Sequence, residues 1–566
     1  MIILGIHHDH DSCAALIRDG EIVADVAEER FVRIKHYCGL PFQSVRYCLE
    51  AAGIRPDEID VVAIASKYQR PDINHLFDFP EAKRQRESNQ RKVLNWIREM
   101  RGYAPPHPPL YIRLFPVKPS IEVVNVEHHL AHAAGAYHTS GSDEKQLIVT
   151  MDGSGDDVST ALWRGENGRI EPLERFGFEG SLGAFYSLVT EGLGWWHGDG
   201  EGKTMGLAPY GDPAKAGGRL DRFAPRFEDG RLVRPKDFGP PQTWRETGAM
   251  HFHLREADEV ASLIRAFGRE HVAAETQRLL EEQAVSLVLP WLDREGHANL
   301  TCSGGVFLNV KLNQRFWESG KVKRQWIYPN AGDSGLAVGA ALHAWHTAKP
   351  SAPNGALSHL YHGPSFSREE IRKLLELRKI AFKEMDDPAP VAAKLLAKDK
   401  IVAWFQGHME SGPRALGNRS ILMSANRAEN KDIINARVKF REGFRPFCPS
   451  LIEEAKTDYL INPRDEPFMI TSFTCTEAKR ARVPAVVHAD NTLRPQTVSA
   501  AANPIYHRLL SEFGQLTGEP LLLNTSLNIM GEPMISHPRD AIRCFFDCGL
   551  DAMFLGNFLL EKNGEA

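Results

Sequence analysis

The chain has 566 residues, which at about 150 residues per domain suggests three or four structural units. Charged residues make up 25 % and hydrophobic residues 42 %, the usage of a folded globular protein rather than a disordered chain or a coiled coil. A formal net charge of −5 argues against a protein that coats nucleic acid through its overall charge. Any bound anion must therefore be met by a local group of basic residues.

The N-terminus begins with the strand-like run Ile-Ile-Leu-Gly-Ile and shows neither the basic segment nor the cleavage site of a secretory signal. No stretch reaches the roughly 18 apolar residues of a membrane span. The eight cysteines are scattered and form no CxxC pair, which disfavours a zinc ribbon or a disulfide framework. We therefore expect a cytoplasmic protein with no membrane and no nucleic-acid partner.

Two similar segments predict a duplicated α/β unit. From residue 2, an apolar strand is followed by the polar turn HHDHDS, a second strand, and an Asp19-Gly20 hairpin turn before a third strand. The pattern returns from residue 147 as LIVTM, DGSGDD and VSTALW. Two such halves around one cleft resemble the plan of the actin-like ATPases.

The later segments suggest where domains begin and end. Residues 70–120 have the pattern of an inserted basic helix and a Pro-rich loop, and residues 255–292 that of a long helical region. A Pro-, Gly- and Ser-rich linker at 351–366 closes a first domain, 1–350. A capping-box pattern at Ser367 and Glu370 opens a second α/β domain, 367–540. We expect the apolar segment 541–566 to rejoin the first domain.

Two histidines and two aspartates form a candidate metal site. His128 and His132 lie one helical turn apart after the strand-like run IEVVNV. Alone, this pair is more often a hydrogen-bonded polar helix face. Asp152 and Asp333 follow predicted strands, at whose carboxyl ends α/β folds place ligands, although each suits a turn or an N-cap as well. The four together predict a site for a divalent ion such as iron, manganese or zinc.

Two further patterns predict anion or nucleotide contacts. Gly304 and Gly305 stand between a strand and a helix, where backbone N–H groups can approach a phosphate, although a tight turn is the simpler explanation. Residues 408–450 carry eight basic and four acidic residues. Because Gly, Pro and Phe interleave with this run, we predict a pocket whose arginines bind phosphate oxygens, rather than a solvated helix face.

Nine motifs occur in order over nearly the whole chain: HDSCAALIRDG, EERFVRIKH, EHHLAHAAGAY, GEGKTMGLAPYG, SGGVFLN, GDSGLAVGAAL, ESGPRALGNRSI, NARVKFREGFRPFCPS and LLLNTSLN. With these motifs the chain resembles the NodU/CmcH family of O-carbamoyltransferases. The resemblance implies an actin-like (ASKHA-type) domain similar to the tRNA threonylcarbamoyl transferases, followed by a YrdC-like domain. The YrdC-like domain would convert carbamoyl phosphate and ATP, with Mg²⁺, into carbamoyl-adenylate and pyrophosphate. The first domain would transfer the carbamoyl group to a hydroxyl of a small-molecule natural product.

The resemblance also implies residue roles. His128, His132, Asp152 and Asp333 would hold the metal, Fe²⁺ by similarity, with Mn²⁺ or Zn²⁺ as alternatives. His10 would act as the base beside the acceptor hydroxyl. Carbamoyl phosphate and the ATP phosphates would be bound by Lys35, Arg414, Lys439, Arg445, Arg494 and Ser526, and the adenylate by Gly304, Gly305 and Asn309. The acceptor, its binding residues and the oligomeric state stay open.

Two other functions would fit parts of the same pattern. A sugar kinase on the actin-like fold would explain the duplicated hairpins but not a second domain with a dense basic run. An Hsp70-like ATPase regulator would need a peptide-binding module after the ATPase.

Because a reactive adenylate must be shielded from water, carbamoyl transfer further predicts that the two active sites face each other.

Overall fold

The computed structural model describes residues 1–67 and 121–562. The inserted helix and Pro-rich loop predicted within 70–120 lie outside the described residues. Among the helices that are described, none is both long enough and apolar enough to cross a bilayer. The described strands form two five-stranded sheets in the N-terminal part and one eight-stranded sheet in the C-terminal part, with three two-stranded ribbons.

The first sheet has the strand order Glu21–Ala27, Cys13–Arg18, Ile2–His7, Val61–Ala65, Glu122–Val126. The chain runs antiparallel through its first three strands, whereas the last two strands are parallel to Ile2–His7. Asp19 and Gly20 have φ values of 51° and 90°, which is the positive-φ pair that a tight hairpin turn requires. The predicted hairpin is therefore present.

The second sheet has the strand order Arg169–Phe176, Val158–Glu166, Gln146–Gly155, Asn299–Ser303, Arg324–Ile327. Its first three strands are antiparallel and its last two are parallel to Gln146–Gly155. This is the order and direction of the first sheet. The predicted duplication is therefore confirmed at the level of sheet topology.

Two helices fill the space between these sheets. His128–His138 packs through Ala133 and Tyr137 against the second sheet. Leu336–Ala348 packs on the first sheet, with its residues in one core with those of Ile2–His7. The helices approach so closely that a Cβ on Gly339 would lie 1.9 Å from the carbonyl oxygen of Ala131. Small residues at this crossing thus let two backbones touch.

The other helices of the N-terminal part are Glu29–Val32, Phe42–Ala52, Leu182–Gly192, Glu201–Leu207, Ala257–Phe267, Arg269–Glu295 and Val310–Trp317. Two ribbons accompany them, Arg226–Glu228 with Arg231–Arg234 and Gln242–Glu246 with Ala249–His253. The predicted helical region 255–292 is confirmed as two helices, which separate at Gly268 because that residue has φ 93°.

The C-terminal sheet has the strand order Lys383–Glu384, Phe558–Glu561, Ala552–Leu555, Val402–Phe405, Arg419–Ser424, Leu521–Ser526, Cys448–Ile452, Gln496–Val498. Its helices are Arg368–Leu377, Ala389–Leu396, Glu429–Ile434, Lys456–Tyr459, Glu477–Arg480, Pro504–Thr517 and Pro538–Asp547, with the π-helix Asn435–Lys439. The short strands Phe473–Thr474 and Thr492–Leu493 pair separately. The predicted capping box is confirmed, since Ser367 Oγ accepts from the Glu370 N–H and Glu370 Oε2 from the Ser367 N–H.

The expected return of segment 541–566 to the first domain is wrong. Ala552–Leu555 pairs in parallel with Val402–Phe405, and Phe558–Glu561 pairs with Ala552–Leu555. Helix Pro538–Asp547 also contributes Phe545 to the C-terminal core. Apolar content showed correctly that most of the described part of this segment, residues 541–562, packs into a core. It could not show which sheet the segment joins, because strand pairing is decided by backbone partners far away in sequence.

The N-terminal part contacts the C-terminal part through the strand that ends at Ala27 and the residues after it. Arg30 donates to the carbonyl of Gly412 at 3.2 Å. Asp25 is buried beside Ser411 of the C-terminal part and Asn330 of the N-terminal part. Burial outweighs the polar contacts of Asp25 and raises its pKa to about 7. A carboxyl group thus sits at the junction in largely neutral form below neutral pH.

Replacing Gly339 with alanine tests the helix crossing. The new Cβ would meet the Ala131 carbonyl at 1.9 Å, so we expect the free energy of unfolding to fall by about 2 kcal/mol or more. Gly202→Ala is the control, because Gly202 lies in a helix and a Cβ added there would have nothing within 4 Å; this variant should gain up to about 1 kcal/mol. Urea unfolding of both variants measures this, and equal stability would contradict the tight crossing.

Replacing Asp25 with asparagine tests the buried carboxyl. An unfolded aspartate titrates near pH 4, so between about pH 4 and pH 7 the folded state holds the extra proton and stability falls as pH rises, by at most about 1.4 kcal/mol per unit. Asp25→Asn should remove this component. The free energy of unfolding is measured with urea at about pH 5 and about pH 8. It should fall less between these pH values in the variant than in the original protein, and an equal fall would contradict a buried neutral acid.

Candidate functional site

The candidate site lies between the two five-stranded sheets, where strand ends and one helix N-terminus converge. His128 and His132 come from helix His128–His138, Asp152 from strand Gln146–Gly155, and Asp333 from the turn before helix Leu336–Ala348. His10 stands in the turn after strand Ile2–His7. Carboxyl ends of strands are where α/β folds gather ligand-binding groups.

All four predicted metal ligands meet here. His132 Nε2 lies 3.2 Å from Asp152 Oδ2 and 3.4 Å from Asp333 Oδ1. His128 Nε2 lies 3.6 Å from the same Asp333 oxygen. One donor atom from each of the four side chains falls within 4.8 Å of all the others. Four residues from three distant segments thus form one compact donor set.

Local structure holds each donor in place. The Glu127 side chain caps helix His128–His138 by accepting from the backbone N–H groups of His129 and Leu130. Asp152 accepts from the Gly305 N–H at 2.9 Å. A Cβ on Gly155 would lie 2.2 Å from Cγ of His128, so only glycine leaves space for that imidazole.

The donor set fits a divalent metal ion. The Nε2 atoms of His128 and His132 are buried and have no hydrogen-bond partner among the described residues, whereas Nδ1 of His132 contacts Ser303 Oγ at 3.3 Å. An orphaned nitrogen that points at two carboxylates is costly unless something binds there. Two imidazoles with two carboxylates suit Fe²⁺, Mn²⁺ and Zn²⁺, and the chemistry does not choose among them.

The titratable side chains of this site lie close enough to shift one another's pKa values. Burial alone would lower the pKa of His132, but contact with Asp152 and Asp333 raises it to about 9. Burial and the neighbouring His132 hold the pKa of His128 well below its usual range. Burial and Asp152 raise the pKa of Asp333. The two carboxylates therefore favour a positive charge at this point, which a metal cation could supply in place of the protonated His132 ring.

The second oxygen of Asp333 faces the strand-end turn of the first sheet. His10 Nδ1 lies 3.1 Å from Asp333 Oδ2, and His7 Nε2 lies 3.8 Å from the same atom. Burial would lower the pKa of His10, but Asp333 and two nearby aspartates raise it. His10 is about one-third exposed, so it stands at the open side of the donor set. Sequence reasoning missed His7, although the density of polar residues in HHDHDS indicated this turn.

Lys35, a predicted phosphate ligand, lies beside a carboxylate. Its ammonium group pairs with Asp199, and His36 Nε2 lies 3.5 Å from the same Asp199 oxygen. His36 Nδ1 in turn contacts Asp11 at 2.8 Å, next to His10. Asp199 also acts on the pKa of Arg445 in the C-terminal part. Lys35 is thus placed on the side of the N-terminal part that faces the basic cluster.

The basic run separates into a cluster and residues with other duties. The positive charges of Arg414, Arg445 and Arg494 lie close enough to repel one another. Burial, together with Arg494 and Arg445, lowers the pKa of Arg414 to about 9. Arg441, absent from the predicted ligands, belongs to the same cluster, and burial and Arg445 lower its pKa to about 9. Each of these half-buried cations is destabilised by burial and by its positive neighbours. A bound anion would relieve this repulsion, so the cluster is a strong candidate anion site.

Lys439 and Ser526, both predicted phosphate ligands, are in contact. The Lys439 ammonium lies 3.5 Å from Ser526 Oγ and donates to Asn528 Oδ1 at 2.8 Å. Burial and the nearby Arg441 lower the pKa of Lys439 to about 7. Lys439 ends the π-helix Asn435–Lys439, and Phe440 after it has φ 47°. Such irregular backbone is common at functional sites.

Arg419, part of the run predicted to bind anions, has a structural role instead. Its guanidinium is fully buried, donates to the carbonyls of Gln406 and Pro364, and stacks 3.6 Å from the Phe405 ring centroid. Glu410 shapes the same loop by accepting from backbone N–H groups, including that of Leu416 at 2.7 Å. A basic residue in a dense run can thus serve the loop rather than a ligand.

Two of the residues predicted to contact the adenylate already have structural roles. Gly304 has φ 101°, and a Cβ there would lie 2.1 Å from the Met151 carbonyl, so the glycine is needed for the turn itself. Asn309 caps helix Val310–Trp317 and exchanges hydrogen bonds with Gln277 at 2.9 and 3.0 Å. Structural duties thus account for Gly304 and Asn309, and their contact with an adenylate stays a prediction.

Comparison with known proteins identifies the family. The family model described as "Carbamoyltransferase N-terminus" matches residues 2–342, and "Carbamoyltransferase C-terminus" matches residues 393–562. An uncharacterized protein of Synechocystis sp. (sll1178) is 34 % identical over 100 % of this chain and 97 % of that protein. Nodulation protein NolNO of Sinorhizobium fredii is 36 % identical over 98 % of this chain and 79 % of that protein.

Solved structures add little to this assignment. Component A of (R)-2-hydroxyglutaryl-CoA dehydratase from Acidaminococcus fermentans is 17 % identical, covers 62 % of this chain and 99 % of its own, and has a TM-score of 0.33. At that score no fold is assigned. The two family models, which together span most of the sequence, carry the conclusion that the chain belongs to the carbamoyltransferase family, as the nine motifs predicted, and is a carbamoyltransferase enzyme.

Proposed function

We propose that the enzyme is an ATP-dependent O-carbamoyltransferase that works in two half-reactions. In the first, carbamoyl phosphate, ATP and water give carbamoyl-adenylate, pyrophosphate and phosphate. In the second, an acceptor hydroxyl attacks the carbamoyl carbon, an O-carbamate forms, and AMP leaves. The observation that supports this division is the presence of two unlike sites in one chain, a buried His and Asp donor set and a cluster of half-buried arginines.

The first half-reaction belongs to the C-terminal part, which we propose to be a YrdC-like domain beginning near residue 367. Joining carbamoyl phosphate to ATP brings two polyanions together, so their repulsion must be neutralised. Arg414, Arg445 and Arg494 present forked donors to phosphate oxygens. Lys439 beside Ser526 adds a positive charge rather than a donor, because its ammonium already donates to the carbonyl of Asn528 at 3.0 Å and to Asn528 Oδ1 at 2.8 Å. The lowered pKa of Lys439, about 7, would rise when a phosphate binds next to it.

The second half-reaction belongs to the N-terminal part, an actin-like module in this proposal. A metal held by His128, His132, Asp152 and Asp333 would supply Lewis-acid stabilisation of the charge that develops on the carbamoyl oxygen. His10 accepts the proton of the acceptor hydroxyl through Nε2, while its Nδ1 faces Asp333 at 3.1 Å. Asp333 thereby orients the imidazole and stabilises its charged form.

Contacts between the two parts support transfer within one molecule. Lys35 pairs with Asp199, whose negative charge favours the protonated form of Arg445 in the C-terminal part. The Lys203 ammonium lies 4.0 Å from Glu442. In this proposal the two sites face each other across the interface between the parts, where an adenylate would be protected from water. Family membership favours this function over a sugar kinase or an Hsp70-like regulator, neither of which needs the arginine cluster.

The half-reactions should separate by mutation. Arg414→Ala should slow carbamoyl-phosphate-dependent pyrophosphate release at least about tenfold, because it removes a positive charge that would stabilise the reacting phosphates. His128→Ala should abolish carbamoyl transfer and leave pyrophosphate release within about twofold. Pyrophosphate release is measured by a coupled assay, and transfer by incorporation of labelled carbamoyl phosphate into a panel of hydroxyl compounds.

A matched control exists within the same basic run. Arg427 is about 60 % exposed and pairs with Asp399 at 3.4 Å, so Arg427→Ala should leave both half-reactions near their original rates. Pyrophosphate release that does not require carbamoyl phosphate would refute the first half-reaction. Equal loss of both activities in each variant would refute the division of labour.

The metal assignment has its own test. His128→Ala and His132→Ala should lose stoichiometric binding of Fe²⁺ or Mn²⁺, because each removes one of four donors from a buried site. His129→Gln is the control on the same helix, since the His129 ring already bonds to Thr150 at 2.9 Å and to the Val158 carbonyl at 3.0 Å. Metal content after anaerobic dialysis decides, and full metal in either alanine variant would contradict the assignment.

A further inference from the structure

Two tryptophans that none of the proposed roles explains are exposed on the N-terminal part. Trp196 is 55 % exposed and Trp244 is 40 % exposed. Their ring centroids lie 6.1 Å apart, and the His251 ring lies 4.7 Å from the first and 5.4 Å from the second. These three rings form an aromatic patch. Exposed rings grouped in this way are typical of a binding surface, because a ligand that covers them removes apolar area from water.

The ribbon that carries most of the aromatic patch lies beside the proposed active site. Trp244 and His251 stand opposite each other in this two-stranded ribbon. The ring centroid of Phe252, the next residue along the strand, lies 5.5 Å from that of His10. Successive side chains of a strand point to opposite faces. The aromatic patch and the proposed base are therefore on opposite faces of one ribbon.

The loop that carries Trp196 connects these two faces. His197, directly after Trp196, has its ring centroid 5.2 Å from that of Phe252, so consecutive residues of the loop contact opposite faces of the ribbon. His197 Nδ1 lies 2.8 Å from a carboxylate oxygen of Glu191, and the other oxygen of Glu191 accepts from the Leu254 N–H at 2.9 Å. One carboxylate thus fixes the loop to the end of the ribbon. A ligand can run along this edge from the proposed base to the aromatic patch.

The size of the aromatic patch favours a ring-shaped ligand over a protein partner. An aromatic side chain buries about 150–250 Å² when it is fully covered, so three rings that are roughly half exposed offer about 300 Å². A stable protein–protein interface needs about 800 Å² from each partner. A second copy of this chain would therefore gain too little from the patch, whereas one ring of a small molecule would cover much of it.

From this arrangement we infer that the aromatic patch binds a distal sugar ring of an acceptor that has two or more sugar rings. The inference rests on the proposed function, because it takes the reacting hydroxyl of the acceptor to lie at His10. A sugar ring has a face of C–H groups, which suits the negative face of an indole, and hydroxyl edges that can accept from an indole N–H. Because the ribbon separates His10 from the patch, a single ring cannot reach both.

Carbamoyl transfer to saccharides of increasing length tests the aromatic patch. The probes are the one-, two- and three-ring members of β-linked glucose, mannose and N-acetylglucosamine series, with labelled carbamoyl phosphate as the donor. In at least one series, KM should fall as the second or third ring is added. In that series, Trp196→Ala and Trp244→Ala should each raise the KM of the longer saccharide about tenfold, because a stacking partner is lost. The KM of the one-ring member and both kcat values should stay within about twofold.

Two variants serve as controls. Trp244→Phe keeps an aromatic ring and should retain the KM of the longer saccharide within about threefold. Phe546→Ala removes a ring that is 51 % exposed on a helix of the C-terminal part and should change no KM. Titration calorimetry of the same saccharides with the same variants gives the comparison without turnover.

Three results would overturn the inference: an unchanged KM and affinity for the longer saccharides in both alanine variants, an equal loss for one-ring and longer saccharides, or no binding of any saccharide to the unmodified enzyme. The proposed function is judged separately by pyrophosphate release from the unmodified enzyme, which needs no saccharide. Release that requires carbamoyl phosphate, together with no saccharide binding, would keep the function and reject the patch as an acceptor site.

Discussion

The close crossing of two helices is the constraint on which the metal-type site depends. Helix His128–His138 carries two histidines, and the turn before Leu336–Ala348 carries Asp333. Their backbones meet where a Cβ on Gly339 would overlap the Ala131 carbonyl at 1.9 Å. Because Asp333 lies only about two turns before this contact, a wider crossing would move its carboxylate away from both imidazoles. The glycine thus acts on the site without touching a ligand.

The two sites solve opposite electrostatic problems. In the N-terminal site, the buried Asp333 and the partly buried Asp152 are balanced by histidines, and burial makes any uncompensated charge costly. In the C-terminal site, burial and then the neighbouring cations lower the pKa values of Arg414 and Lys439 to about 9 and about 7. Each proposed ligand thus neutralises the excess charge of its site. A metal cation would balance the carboxylates, and polyphosphate would balance the arginines.

Some features were predictable because they depend on local or periodic signals. The Asp19-Gly20 hairpin, the Ser367 capping box and the two similar three-strand segments all follow from short patterns that tertiary contacts did not override. The placement of segment 541–566 was not predictable in this way, because its apolar residues would suit either core. The role of Arg419 was not predictable for a related reason. A basic run shows charge density, but it does not show which side chains turn inward to donate to backbone carbonyls.

The amino-acid sequence by itself determined the family and the duplicated α/β plan, and it named the four His and Asp side chains that the fold brings together, because each depends on residue types at fixed spacing or on motif order. Only the tertiary structure decided that His7 joins His10 at Asp333, that Lys35 stands on Asp199, and that the last strands complete the C-terminal sheet. The physical reason is the same in each case. Contacts between residues far apart in sequence depend on how sheets and helices pack, and packing geometry leaves no periodic signal in the chain.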